Sequence, residues 1–245
     1  MVPILKIMLA EVKKMGEHMT IGVMVDFMSY PQYPRTGEEE VVFKSGLKGE
    51  LNGLYSHPNA PTLMITTRAS EHPLHTNPRA YEKRGWTYIE ARLSSMVKDA
   101  DCLWDLSKLT GEEKTWKDLG DSMKANRLPM TSPDRVAKDL RAAVESGEIA
   151  FTKGADLDLV LGIYERGFAP AFEGMQADLV YCSNLGWGDE VVPILTEAIK
   201  YAEEHCDPKK MKAPTKTFRL AGNKFTEEGE QALKAAAGEK MKVSV

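Results

Sequence analysis

The sequence predicts a layered α/β fold with parallel strands. Two observations carry this. Amphipathic segments of helical period alternate with short apolar runs, and those runs show little polar alternation, as suits strands covered on both faces. Ile4, Leu5, Met8, Val12 and Met15 recur at helical spacing and give a first helix that ends near Gly16. The run Thr20–Phe27 is β-branched and apolar and predicts a strand. A Pro-rich loop, Ser29–Gly37, leads to a second helix, which opens on Glu38, Glu39 and Glu40, acids suited to a helix N-terminus. That helix carries Phe43, Leu47, Leu51 and Leu54 on one face. Thr62–Thr67 predicts a second strand, Gly85–Asp99 a third helix, and Cys102–Leu106 a third strand.

From Ser107 to Thr131 the period weakens, and the stretch reads as an excursion with one short helix. Ser132 as N-cap, Pro133 at the first helical position and Gly147 at the end then bracket a well-signalled helix. A further helix follows, with Leu157, Val160, Leu161 and Tyr164 on its packing face.

Composition narrows the function classes. The chain has 245 residues, 42% hydrophobic and 28% charged, with a formal charge of −4. Such usage is that of a globular domain with a real core, not of a disordered or fibrous chain. No basic tract marks a nucleic-acid or membrane-surface binder. No apolar run approaches the roughly 18–20 residues that a membrane helix needs. Cys102, Cys182 and Cys206 are too far apart for a zinc or disulfide framework, which points to a reducing, cytoplasmic compartment. No Walker loop or Gly-x-Gly-x-x-Gly occurs.

The last seventy or so residues contain two similar units, Asp178–Ile199 and Thr217–Ala236. Each has a short strand, an Asn (Asn184, Asn223), an aromatic residue soon after, and a helix with a Leu in matching place (Leu195, Leu233). The terminal Met-Lys-Val-Ser-Val would begin another strand. A strand–Asn–helix unit of this kind resembles the ribonuclease-inhibitor class of leucine-rich repeats, in which the Asn side chain ties the backbone at the strand-to-helix bend. The expected organisation is therefore an α/β domain over residues 1–175 and a repeat-like tail over 176–245, with the segment Ala171–Ala177 as the joint.

The first half carries a second resemblance. Asp26 ends a strand, Gln32 lies in the Pro-rich loop, an acidic helix start follows, Tyr55 ends that helix, and Tyr81–Glu90 reads Tyr-Glu-Lys-Arg-Gly-Trp-Thr-Tyr-Ile-Glu. In this order the set resembles the TIR-related superfamily, and its heterokaryon-incompatibility (HET) branch in particular. The likeness covers roughly residues 1–106, and Arg-Gly-Trp-x-x-x-Glu is its most specific piece. It implies a three-layer, TIR/flavodoxin-like parallel sheet and an intracellular signalling or defence module. Many such domains cleave NAD, as substrate and without a separate cofactor, at the nicotinamide–ribose bond, and others only assemble, so the resemblance implies one or the other. Glu90 matches the catalytic glutamate; Asp26, Gln32, Arg84 and Trp86 would line the substrate site. The family's fold begins with a central strand ahead of the first helix. This chain opens in the helix, so direct strand pairing, a longer chain or a strand from a partner would complete the sheet.

The residues themselves leave alternatives open. Trp86, Glu90, Leu93 and Val97 share one helical face, so the Glu90 carboxylate is either an ion pair, with Arg84 for example, or a catalytic group. Asp26 is a ligand residue or a loop cap, and Trp86 a core residue or a stacking platform. Arg35 and Arg84 hold a phosphate or face solvent. His72 and His75 flank Pro73 and have no third ligand nearby, so a loop is the simpler reading than a metal site. Three function classes fit: an NAD glycohydrolase, a non-enzymatic scaffold that binds protein partners or itself, and a nucleoside deoxyribosyltransferase-like enzyme, for which no motif is present.

Overall fold

The computed structural model describes residues 2–25, 31, 34–67, 79–151, 154 and 156–245. The chain is a mixed α/β protein with parallel strands in two small sheets. Helix α1 (Val2–Met15) leads to α2 (Gly37–Ser45), where Thr36 and Glu39 form a reciprocal capping box. The expected second helix does not run on regularly: a π-helical turn, Gly46–Glu50, precedes α3 (Leu51–Tyr55). Gly46 and Gly49 within that turn weaken the α-helical ladder where it loosens. Strand β1 (Thr62–Met64) pairs in parallel with β2 (Leu103–Asp105), Thr62 opposite Leu103 and Met64 opposite Asp105. Between them lie a 3-10 turn, Tyr81–Lys83, and α4 (Gly85–Ser95).

The strand expected over 20–27 is not formed by its described residues, 20–25. Val23 is 47% exposed, so this run is not covered on both faces. An apolar β-branched run forms a strand only where a neighbour completes its ladder, and here β1 pairs with β2.

The excursion after β2 holds α5 (Trp116–Met123), opened by a capping box of Thr115 and Asp118. Helix α6 (Pro133–Glu145) starts at Ser132, whose hydroxyl accepts the Arg135 amide, and Gly147 follows it at φ 76. Helix α7 (Asp156–Glu173) follows, with Val160, Tyr164, Phe168 and Phe172 among its buried residues. Strand β3 (Leu179–Tyr181), α8 (Val192–His205), β4 (Lys216–Arg219), α9 (Glu227–Ala236) and β5 (Met241–Ser244) complete the chain. The three strands form a parallel sheet in sequence order.

Asn223 ties the bends of this tail together. Its side-chain oxygen accepts from the amides of Leu185 and Trp187, and its amide donates to the carbonyls of Cys182 (2.8 Å) and Leu220 (2.7 Å). Asn184 adopts a left-handed backbone with φ 57. Its side-chain oxygen lies where a Cβ on Gly222 (φ 74) would stand, so only glycine fits there.

One hydrophobic core runs from Leu47 to Met241. Along α7, Tyr164, Phe168 and Phe172 meet one after another in tilted ring contacts, Phe168 meets Tyr201 of α8 and Phe172 meets Phe218 of β4. The expected joint lies within this packing, since Ala171, Phe172 and Met175 are buried. A second, smaller core gathers Ile4 and Met8 of α1, Trp104 of β2, and Leu119 and Met123 of α5, with Trp116 edge-on to Trp104 at 5.3 Å.

Candidate functional site

The carboxyl ends of β1 and β2 bring together groups far apart in sequence. Asp105 ends β2, and its carboxylate accepts from the Thr66 hydroxyl, just beyond β1, and from the Ser107 amide at 2.9 Å. Burial works against this carboxylate, but the Thr66 and Ser107 hydrogen bonds and the charge of Lys108 outweigh it and hold its pKa below the ordinary range. Tyr81, at the start of the 3-10 turn, is half-buried. Burial pushes its phenol well above its usual range, the charges of Glu90 and Asp105 add to the push, and Arg84 opposes it. Tyr81 is therefore a neutral phenol under the influence of two carboxylates. Glu90 itself is half-buried on α4.

Local sequence explains how α4 presents Glu90. Gly85 begins the helix against the Phe151 ring; a Cβ there would stand 2.1 Å from a ring carbon, so no larger residue fits. The Gly85 amide donates to the Ala150 carbonyl and the Ala150 amide to that of Lys83, which pins the Arg-Gly-Trp segment to residue 150. Trp86 is half-buried, and its indole N–H donates to Asp156 at the start of α7, 3.0 Å away. Inward, Ile89 and Leu93 are buried. The Trp86 ring thus orients α4 on α7.

The Arg84 guanidinium donates twice to the Arg79 carbonyl, at 3.0 and 2.9 Å. Arg35 does not face open solvent: it donates to the Pro31 carbonyl, pairs with Glu40 at 3.2 Å and lies over the Phe43 ring. Asp26, Gln32, His72 and His75 lie outside the described residues. Among the described residues, no group of three or more His, Cys, Asp or Glu side chains could hold a metal ion, and no helix is long and apolar enough to cross a membrane. The three cysteines are free thiols, with Cys182 and Cys206 buried.

Asp105 and Tyr81 were not singled out by the sequence reading. The signal for Asp105 was available: it closes a predicted strand, as Asp26 does, and open α/β sheets place ligands at the carboxyl ends of their strands. Tyr81 carries no such signal, since only the fold sets its phenol near both carboxylates. Compared with family models, with curated proteins and with solved structures, the chain has no match.

Proposed function

We propose that the chain is a TIR/HET-like signalling or defence module that hydrolyses NAD at the nicotinamide–ribose bond. Glu90 is the carboxylate that steadies, or attacks, the ribose carbon as nicotinamide leaves. By the same resemblance Asp26 and Gln32 would take part in substrate binding, and the repeat-like tail serves as a protein-binding surface in the cytoplasm. The observation that carries this reading is Asp105 at the carboxyl end of β2, bridged to Thr66 just beyond β1, together with the half-buried Glu90 on α4, the charges of both acids acting on the half-buried Tyr81 phenol. A half-buried carboxylate in such a place suits stabilisation of a developing cation. Trp86 and Arg84 position the helix and its first turn rather than contact substrate, given their bonds to Asp156 and Arg79.

A second reading, a non-enzymatic scaffold, is favoured by a different observation. Val41 and Val42 of α2 are 68% and 56% exposed, and Leu54 and Ile65 are exposed as well. Such side chains suit a protein partner or a second copy. Incubation of the protein with NAD separates the two: time-dependent release of free nicotinamide supports the enzyme. Its absence, in conditions where the chain also self-assembles, supports the scaffold.

A further inference from the structure

The three-stranded sheet of the tail has one covered face and one open face. Its parallel neighbours are joined through α8 and then α9, which places both helices on the same side. On that side Val180, Phe218 and Met241 pack in the core with Leu195 and Leu233. Strand alternation points Leu179, Tyr181, Thr217, Arg219, Lys242 and Ser244 the other way. Tyr181 is 45% exposed, and Arg219, Lys242 and Ser244 are exposed as well. The register sets Tyr181, Arg219 and Ser244 side by side in one row, with Lys242 in the row before it. None of these outward positions is acidic, although acids outnumber bases in the chain by 36 to 32. Asp178 and Glu239 precede β3 and β5, at the amino-terminal end of the sheet and away from the Arg219 row. Among the described residues neither Arg219 nor Lys242 forms an ion pair, and the Lys242 ammonium donates only to the Gly238 carbonyl, at 2.6 Å.

Resting on the reading of the tail as a protein-binding surface, we propose that this open face binds a short, extended acidic segment of a partner protein. Its carboxylates pair with Arg219 and Lys242, and its chain lies beside Tyr181. Spacing supports the match. Arg219 and Lys242 are diagonal neighbours on adjacent strands, about 8 Å apart at the backbone, and alternate side chains of an extended peptide stand about 7 Å apart. Acids two residues apart can therefore meet both cations, and the planar Arg219 fork can take both oxygens of one carboxylate. Size excludes a folded partner on this face alone. Three strands of three or four residues span about 10 Å in each direction. A stable interface between folded proteins needs roughly 800 Å² a side. Two cations are also few for a nucleic acid, whose affinity comes from many phosphate contacts.

The test titrates the full chain with hexaglutamate and follows amide shifts by NMR, with hexalysine, a Ser-Gly hexapeptide and hexathymidylate as comparison arms. The expected result is saturable shifts at residues 179–183, 217–221 and 242–245 with hexaglutamate alone. Because exposed ion pairs are weak, the dissociation constant should be on the order of 1 mM at low salt, and higher severalfold at about 0.3 M salt. The double variant Arg219→Gln, Lys242→Gln should bind about tenfold more weakly or worse, with an unchanged urea midpoint because both side chains are exposed. Hexaglutamate shifts that never saturate, undiminished binding in the double variant, or hexathymidylate bound as tightly as hexaglutamate would each overturn the proposal. Hexalysine or the Ser-Gly peptide bound on this face in place of hexaglutamate would overturn the acidic partner and leave the tail a protein-binding surface. A face that none of the peptides shifts would overturn both.

Discussion

The Thr66 hydroxyl donates to the Asp105 carboxylate and so bridges the carboxyl ends of the two strands of the N-terminal sheet. Because Asp105 also accepts the Ser107 amide, its charge is held at the carboxyl end of β2. Each strand has only three residues, so this bridge adds a side-chain link at the end of a short ladder.

Thr66→Val removes the hydroxyl and keeps the side chain's shape. It should cost about 1 kcal/mol at neutral pH. It should also raise the pKa of Asp105 toward the ordinary carboxylate value, as read by carbon-13 NMR. The sign follows from the depressed pKa: the stabilisation is present above the ordinary value of 3.8 and is lost as pH falls through the lower, folded-state value. An Asp105 titration unchanged by the substitution would show that Thr66 does not hold this charge.

Asn223 is the side chain on which the tail's bends converge. Asn223→Ala leaves two amides and two carbonyls without their partner, and should lower stability by roughly 2–4 kcal/mol in urea denaturation. Asn223→Asp keeps the acceptor but loses both donors and sets a charge beside the Cys182 and Leu220 carbonyls, so it should not rescue. Near-wild-type stability for either variant would contradict this role.

Lys98 gives a pH dependence. It is fully buried, and its ammonium donates to the carbonyls of His57 and Ala60 at 2.7 Å and of Leu54 at 3.4 Å. Burial pulls its pKa from 10.5 down to about 8, with the neighbouring Cys102 opposing. Between those values the unfolded chain holds the extra proton, so this group adds stability as pH rises from about 8 toward 10.5. Lys98→Met should cost roughly 1–3 kcal/mol at neutral pH through the orphaned carbonyls. It should also make the change of melting temperature over that pH window less positive than in wild type. Parallel profiles for the two proteins would rule out Lys98 as the source.

Much of the helical structure was legible because helix signals are local. Ser132, Pro133 and Gly147 bracket α6 in the sequence, and the structure uses all of them. The strand expected over 20–27 was misjudged for the opposite reason: whether an apolar run pairs depends on a neighbour that the run does not encode. Buried cations were illegible in the same way. Arg127 donates to the carbonyls of Ser95 (3.0 Å), Met96 (3.2 Å) and Tyr181, joining the end of α4 to β3 across more than fifty residues. Nothing in the sequence around Arg127 separates it from a surface arginine, because its acceptors are backbone groups placed by the fold. Glu90 and Trp86 could be named from a motif, whereas their neighbours Tyr81 and Asp105 required the strands to be set side by side.

The most direct test of the central claim compares nicotinamide release from NAD by wild type and by Glu90→Gln, alongside their melting temperatures. The substitution keeps size and most hydrogen-bonding capacity while removing the charge. If Glu90 acts on the ribose, the variant should melt close to wild type and lose NAD cleavage by a factor on the order of 10² or more. If the carboxylate is instead half of a structural ion pair, stability should fall by roughly 3–5 kcal/mol. Wild type that releases no nicotinamide, or a stable Glu90→Gln variant that cleaves NAD as fast as wild type, would contradict the catalytic account.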